Sequence, residues 1–182
     1  MASNVYTQSK LSFSKNCIFD ALLALLEKKE LSDISVSELT KKAGVCRSTF
    51  YRNYDDIASV IVDFLNERPL GFSNDLKRED MNNYELVANY FSYLLENRRL
   101  FTALDKRGML HLLLDVHSRV FKNNFKPIVN DIGFVEDYEI SAFIGIVYMV
   151  TADWIHNGMQ GEMDEMVELS FKIITHYTGN KV

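Results

Sequence analysis

The stretch from Ser35 to Tyr54 contains a helix start, a helix stop and a second helix start. Ser35 and Glu38 have the S-x-x-E spacing of a capping box, in which the serine hydroxyl accepts the Glu38 N–H and the glutamate carboxylate reaches back to the Ser35 N–H. Gly44 predicts the end of this helix about two turns later, because glycine takes positive φ without a Cβ clash. No breaker follows before Tyr54, so a second helix must begin at once. Two short helices around a glycine turn predict a helix-turn-helix.

The second of these helices has a polar face without an acidic residue. Its side chains are rich in hydrogen-bond donors: Arg47, Ser48, Thr49, Tyr51, Arg52 and Asn53. A solvated helix face usually mixes both signs of charge, so this face is expected to meet phosphate and base edges. The alternative is a pair of short core helices with a polar outer face.

The charge of the chain is unevenly distributed. The net charge is -5, yet residues 1–54 hold eight Lys and Arg against five Asp and Glu, a net of +3. Residues 55–182 hold 12 against 20, a net of -8. A basic head that meets nucleic acid on an acidic body that does not is consistent with this asymmetry.

Composition and periodicity predict an all-α fold. The 182 residues include only 2 Pro and 8 Gly, too few turn residues for a protein of repeated β-hairpins. Helices are predicted at residues 9–28, 56–67, 84–97, 99–104, 109–125, 137–156 and 162–177. The helix at 137–156 is apolar nearly all round, so it should be buried on every side. A second copy of the chain is a natural cover for it.

The helix-turn-helix stretch resembles the signature of the TetR family of transcriptional regulators. That family has Ala-Gly-Val, then Thr-hydrophobic-Tyr, then an aromatic residue three positions later. The matching residues here are Ala43-Gly44-Val45, Thr49-Phe50-Tyr51 and Tyr54, within a likeness that covers about residues 10–65. The resemblance implies an all-α protein with a three-helix DNA-binding domain at residues 1–54. It implies a helical dimerisation and ligand-binding domain at residues 55–182.

The resemblance also implies how such a chain meets DNA. The second helix should enter the major groove of a near-palindromic double-stranded operator, with one head of a homodimer on each half-site. Base edges or nearby phosphates are assigned to Arg47, Ser48, Thr49 and Asn53. Positioning on the DNA backbone is assigned to Ser35, Ser37, Lys42, Tyr51 and Arg52.

Two positions depart from the family pattern. Cys46 stands where the family has a Ser or Thr cap, and cysteine is a poor cap. Ile57, preceded by Asp55 and Asp56, stands where the family has a phosphate-binding Lys. One phosphate contact is therefore missing unless Arg52 or Lys42 replaces it. Cys46 is either a plain substitution or a thiol of lowered pKa that responds to oxidants.

The C-terminal half carries a looser resemblance. In many TetR-type proteins the last two long helices pair with those of a second subunit in a four-helix bundle. Residues 154–159 and 162–166 resemble the junction between those helices. The predicted dimerisation residues are Phe143, Ile144, Val147, Trp154, Met166 and Ile173. The family logic adds repression relieved by a small-molecule effector, whose binding residues the sequence leaves unknown.

Other functional classes find little support in the sequence. His111 and Asp115 share a helix face, but His117 lies on another side, and no HExxH, paired CxxC, P-loop, GxGxxG or GxSxG motif occurs. We therefore expect no enzyme activity, no metal and no cofactor. A regulator gated by a partner protein, and less readily a small helical enzyme or metal-binding protein, remain as alternatives.

The sequence also predicts where such a chain works. It has two cysteines, no apolar segment near the N-terminus and no apolar run of the roughly 20 residues that a bilayer requires. A cytoplasmic protein without membrane association is expected.

Overall fold

The computed structural model describes residues 2–67, 83–124 and 137–178, and within these ranges it is helical without a strand. The first four helices are α1 Ala2–Leu26, α2 Val36–Ala43, α3 Arg47–Asn53 and α4 Ala58–Glu67, with a 3-10 turn at Leu31–Asp33. The next five are α5 Asn83–Glu96, α6 Arg98–Lys106, α7 His111–Asn124, α8 Asp137–His156 and α9 Met163–Thr178. The predicted all-α class is confirmed.

Most helix bounds agree with the sequence patterns to within two residues, and those of α8 coincide. The exception is α1, which begins at Ala2 rather than at residue 9. Residues 2–9 lack an apolar stripe, but they contain no glycine or proline that would end a helix. Apolar periodicity therefore marks the packed part of α1 and not its full length.

The chain divides into two compact units, the first unit Met1–Glu67 and the second unit Arg68–Val182. Residue 54, the predicted end of the DNA-binding domain, lies inside the first unit. The first unit extends further because α4 packs on α1, where the rings of Phe19 and Phe64 stack with centroids 3.8 Å apart. Its core consists of fully buried side chains from all four helices, among them Ile18, Leu22, Leu26, Leu39, Phe50, Ile61 and Leu65.

In the second unit α9 packs on α5, whereas α8 packs on α6 and α7. Aromatic rings form much of the core between them. Phe91 meets the indole of Trp154 edge to face, with centroids 5.4 Å apart. Trp154 is therefore buried by side chains of its own chain.

One polar group of side chains lies inside the second unit. The Tyr90 hydroxyl is 2.8 Å from Nε2 of His117 and 2.9 Å from Oγ1 of Thr151, so α5, α7 and α8 share one network. Burial lowers the pKa of His117 to about 3 and raises that of Tyr90, so both side chains stay neutral at physiological pH. His117 is fully buried within the second unit.

Two backbone hydrogen bonds end α8 before the last helix begins. The Met159 N–H donates to the carbonyl of Trp154 over 2.8 Å, and the Gly158 N–H donates to that of Ile155 over 2.9 Å. This is the Schellman arrangement, with Gly158 at φ 76°. Met159 is buried, and Trp154 Nε1 donates to the carbonyl of Gln160 over 2.9 Å. The Trp154 indole therefore stabilises this turn and also packs in the core of the second unit.

Candidate nucleic-acid interface

The start of α2 is capped as the sequence predicts, but only on one side. Ser35 Oγ accepts the Glu38 N–H over 3.2 Å. The Glu38 carboxylate is bound by Lys29 Nζ, 2.6 Å from Oε1, and a return contact to the Ser35 N–H is absent from the hydrogen bonds of the described residues. The complete capping box was therefore wrong. A charged contact is the stronger partner for a carboxylate, and it ties the segment after α1 to α2.

The turn between α2 and α3 forms around Gly44, which has φ 68° as expected. The Val45 N–H donates to the carbonyl of Thr40 over 3.0 Å, and the Gly44 N–H donates to that of Lys41 over 3.3 Å. These two bonds satisfy carbonyls at the end of α2 and set the direction in which the chain enters α3.

The polar side chains of α3 share one accessible surface, which we call the reading face. It comprises Arg47, Ser48, Tyr51 and Arg52, which are exposed, and Thr49 and Asn53, which are half-buried. Phe50 points the opposite way and is fully buried. Tyr51 is 53% exposed, which is unusual for a large aromatic residue and places its ring in the middle of the face.

Two pairs of side chains order the reading face. Arg47 Nη2 donates to the Tyr51 hydroxyl over 3.4 Å, and its guanidinium lies 5.8 Å from the centroid of the tyrosine ring. Asn53 Nδ2 donates to the carbonyl of Thr49 over 2.6 Å. Arg47 keeps most of its donors available, whereas one of the two amide hydrogens of Asn53 is used within the helix. Asn53 thus offers its side-chain oxygen and its second amide hydrogen.

Cys46 lies at the beginning of the reading face. Its sulfur is 3.1 Å from Ser48 Oγ and 3.0 Å from Thr49 Oγ1. Hydrogen bonds from Ser48 and then from Thr49 lower the pKa of the Cys46 thiol to about 7. At neutral pH a substantial fraction is therefore thiolate, which puts a negative charge beside a face that otherwise lacks one.

The residues on either side of α3 also have defined places. Ser35, Ser37 and Lys42 are exposed on α2 or at its start. Asp56 Oδ1 accepts the Ser59 N–H over 2.7 Å, so this acid caps the first turn of α4. Ile57 is half-buried. Asp56 therefore serves as a helix cap, and Ile57 supplies no basic group at its position.

A cluster at the end of α3 was missed by the sequence analysis. The Tyr54 hydroxyl donates to Asp63 Oδ2 over 3.1 Å, and Lys15 Nζ donates to the same oxygen over 2.7 Å. Lys15 also reaches Glu67 Oε1 over 3.1 Å. The one signal in the sequence was the four-residue spacing of Asp63 and Glu67, which puts both acids on one face of α4.

The predicted dimerisation residues fall into two groups. Phe143, Ile144 and Trp154 are buried inside the second unit, whereas Val147, Met166 and Ile173 are half-buried. Large apolar side chains missing from the prediction are more exposed: Tyr138 at 89%, Met149 at 55% and Leu169 at 42%. The helix α8 is therefore not covered on every side by its own chain, since packing inside the unit uses only part of its apolar surface.

The described residues contain no group of three His, Cys, Asp or Glu side chains placed to hold a metal ion. None of the described helices has the length and hydropathy needed to cross a membrane.

The chain is similar to one known protein in sequence and to three solved structures in fold. No family model matches the chain. It is 30% identical over 118 residues to the uncharacterized HTH-type transcriptional regulator YxbF of Bacillus subtilis (strain 168). The matched residues cover 60% of this chain and 29% of that protein. The chain therefore spans less than a third of the length of this relative.

Three solved structures have a similar fold. A TetR transcriptional regulator from Streptococcus agalactiae 2603V has a TM-score of 0.67, with 94% of this chain and 98% of that one covered. The dihydroxyacetone kinase operon activator DhaS has a TM-score of 0.61, with 91% and 96% covered. NalD, the secondary repressor of the MexAB-OprM multidrug efflux pump in Pseudomonas aeruginosa, has a TM-score of 0.54, with 91% of this chain and 96% of that one covered. Each is 16% identical in sequence, so the likeness concerns the fold.

Proposed function

We propose that this chain, which has the all-α fold of the TetR-type regulators, is a DNA-binding transcriptional regulator that acts as a homodimer. The observation that carries the proposal is the reading face of α3. It is exposed, contains no carboxylate, and is anchored from behind by the fully buried Phe50. A helix presented in this way is suited to the major groove of DNA. Such a protein acts in the cytoplasm.

Arg47 is the main candidate for base recognition. Its contact with Tyr51 limits the rotamers of the arginine, which lowers the entropy lost when the side chain binds. Arginine can contact O6 and N7 of a guanine at the same time, which is the commonest specific contact to DNA. Ser48 and Thr49 are secondary candidates. Asn53 can contribute its oxygen and its second amide hydrogen, because one amide hydrogen is bound to the helix carbonyl of Thr49.

The remaining polar side chains are assigned to the DNA backbone. Tyr51 and Arg52 occupy the exposed part of α3, and Ser37 and Lys42 lie on α2. Hydroxyl and basic groups at these positions fix the register of the protein without reading sequence. Ser35 contributes through the helix start that it caps, where backbone N–H groups favour an anion.

The dimer is proposed to form through α8 and α9 of both copies. Its contact surface would combine the exposed Tyr138, Met149 and Leu169 with the half-buried Val147, Met166 and Ile173. Phe143, Ile144 and Trp154 support this surface from inside the unit, because little of their own area is left for a partner. Covering exposed apolar residues by a second copy removes them from water and favours association.

Repression controlled by an effector is the proposed mode of action. A small molecule that binds one state of the second unit more tightly shifts the dimer between states with different affinity for the operator. The buried network of Tyr90, His117 and Thr151 offers polar partners at the meeting of three helices in that unit. A partner protein that acts on the same unit is the alternative outcome if small molecules have no effect.

Fluorescence anisotropy tests the proposal. The probe is the DNA upstream of the protein's own gene, random DNA is the control, and the salt concentration is varied. We expect tighter binding to the first probe and a steep decrease with salt. Arg47→Ala should remove most of the preference, whereas Arg119→Ala, the same change at an exposed position of α7, should leave it. Equal, weak binding to several upstream probes and to random DNA contradicts the proposal.

A further inference from the structure

The recognition helix α3 is short, and its orientation depends on contacts beyond its own backbone. It has seven residues, from Arg47 to Asn53. A helix of this length is not stable alone, since nucleation is costly and few hydrogen bonds follow it. Phe50 anchors its middle, and the Gly44 turn anchors its start. Its C-terminal end requires a third anchor.

Tyr54 supplies that anchor. It follows α3 directly, its N–H donates to the carbonyl of Phe50 over 2.9 Å, and its side chain is buried. The hydroxyl donates to Asp63 Oδ2 over 3.1 Å, and the Lys15 ammonium lies 5.9 Å from the centroid of the tyrosine ring. One carboxylate oxygen thus joins the end of α3 to α4 and, through Lys15, to α1.

The surroundings of this coupling cluster, defined as Lys15, Tyr54 and Asp63, favour a fixed geometry. Phe19, one turn after Lys15 on α1, stacks on Phe64, the residue after Asp63 on α4, with the ring planes 2° apart. Lys15 and Asp63 are about three-quarters buried, so their contact is screened less than a surface pair would be. A charged hydrogen bond in this setting is stronger than one between neutral groups.

We propose that Asp63 is a positioning residue for DNA recognition, which holds Tyr54 and with it the end of α3 in the orientation that reads the operator. This inference rests on the proposed function, because it assigns α3 to DNA. Asp63 itself touches no DNA in this proposal. It acts through Tyr54, and Lys15 neutralises its charge.

The direction in which DNA affinity changes when Asp63 is replaced distinguishes a positioning role from a purely electrostatic one. Replacement of an acid by a neutral residue in a DNA-binding unit raises its net positive charge, which by itself strengthens binding. Positioning predicts the opposite result for Asp63, a weaker and less selective complex. Glu67 provides the matched control, since it also binds Lys15 and lies on the same face of α4, whereas the hydrogen bond of the Tyr54 hydroxyl goes to Asp63.

The experiment compares Asp63→Ala, Tyr54→Phe, the double variant and Glu67→Ala by anisotropy on operator and random DNA. Asp63→Ala should lower the ratio of operator to random affinity roughly tenfold, the loss expected when a charged hydrogen bond disappears. Tyr54→Phe should lower it less. The double variant should be no worse than Asp63→Ala, because both remove the same contact. Glu67→Ala should bind as well as the unmodified protein or better.

Amide hydrogen exchange of the DNA-free proteins tests whether Asp63 and Tyr54 anchor the end of α3. In Asp63→Ala and Tyr54→Phe, the amides of residues 50–54 should exchange about tenfold faster than in Glu67→Ala. If the unmodified protein lacks sequence preference while exchange follows this pattern, the proposed DNA function fails and the anchoring of α3 stands. Equal exchange and equal selectivity in Asp63→Ala and Glu67→Ala would overturn the inference. Tyr54→Phe keeps the test valid if Asp63→Ala fails to fold.

Discussion

The first and second units build their exposed surfaces by different rules. In the first unit a cap, a glycine turn and one buried ring, all within residues 35–54, determine which side of α3 meets solvent, and the more distant Asp63 contacts only the end of this segment at Tyr54. In the second unit α8 is apolar nearly all round, and packing against α5, α6 and α7 decides which of its side chains remain exposed. The exposed surface can therefore be predicted from the sequence where contacts between residues close along the chain determine it. It cannot be predicted where contacts between residues far apart along the chain determine it.

The largest effects should come from α8, where two faces of one helix can be compared. Trp154→Asp places a charge in the buried core, at a cost of several kcal/mol, so the second unit should unfold. Met149→Asp introduces the same charge on the exposed side and should leave the fold intact while weakening the dimer. Circular dichroism and light scattering separate these results. A well-folded dimer in Trp154→Asp would contradict the packing described for this helix.

Gly44→Val should disturb the first unit through its backbone alone. A Cβ at this position would meet nothing within 4 Å, so any effect arises from the positive φ, which costs a β-branched residue about 1–2 kcal/mol or more. We expect a lower melting temperature and a loss of operator preference. Gly44→Asn is the control, since asparagine tolerates this conformation better. Identical melting of both variants would mean that the turn is not under conformational constraint.

Tyr51→Ala should weaken DNA binding about equally for every sequence, by roughly tenfold, because the side chain is assigned to positioning rather than base reading. Tyr51→Phe retains the ring and should lose less. Anisotropy on the operator and on operators with single base changes measures both effects. An effect restricted to one base pair would move Tyr51 into the group that reads sequence.

The smallest expected effect concerns Cys46. Its pKa of about 7 means that the thiol is neutral at pH 6 and mostly thiolate at pH 8. The thiolate repels phosphate, so DNA affinity should fall as the pH rises through 7, by at most about fivefold for a single exposed charge. In Cys46→Ser this part of the pH dependence should vanish. A profile that is the same in both proteins would show that the sulfur lies away from the DNA.

Local patterns predicted much of this protein and long-range contacts limited the rest. The helix start at Val36, the Gly44 turn and the bounds of α8 follow from cap chemistry and apolar periodicity. The contact of Lys15 with Asp63 joins residues 48 positions apart, and no spacing rule connects them. The complete capping box failed for a similar reason, because Lys29 from outside the motif binds Glu38.

The placement of Trp154 has a practical consequence, since it is the one tryptophan among the 182 residues. Its indole is buried, lies edge-on to Phe91 and donates a hydrogen bond at the turn between α8 and α9. Intrinsic fluorescence of the unlabelled protein therefore reports on one defined spot in the second unit. A change in its emission when DNA is added would show that DNA binding at α3 alters the surroundings of Trp154.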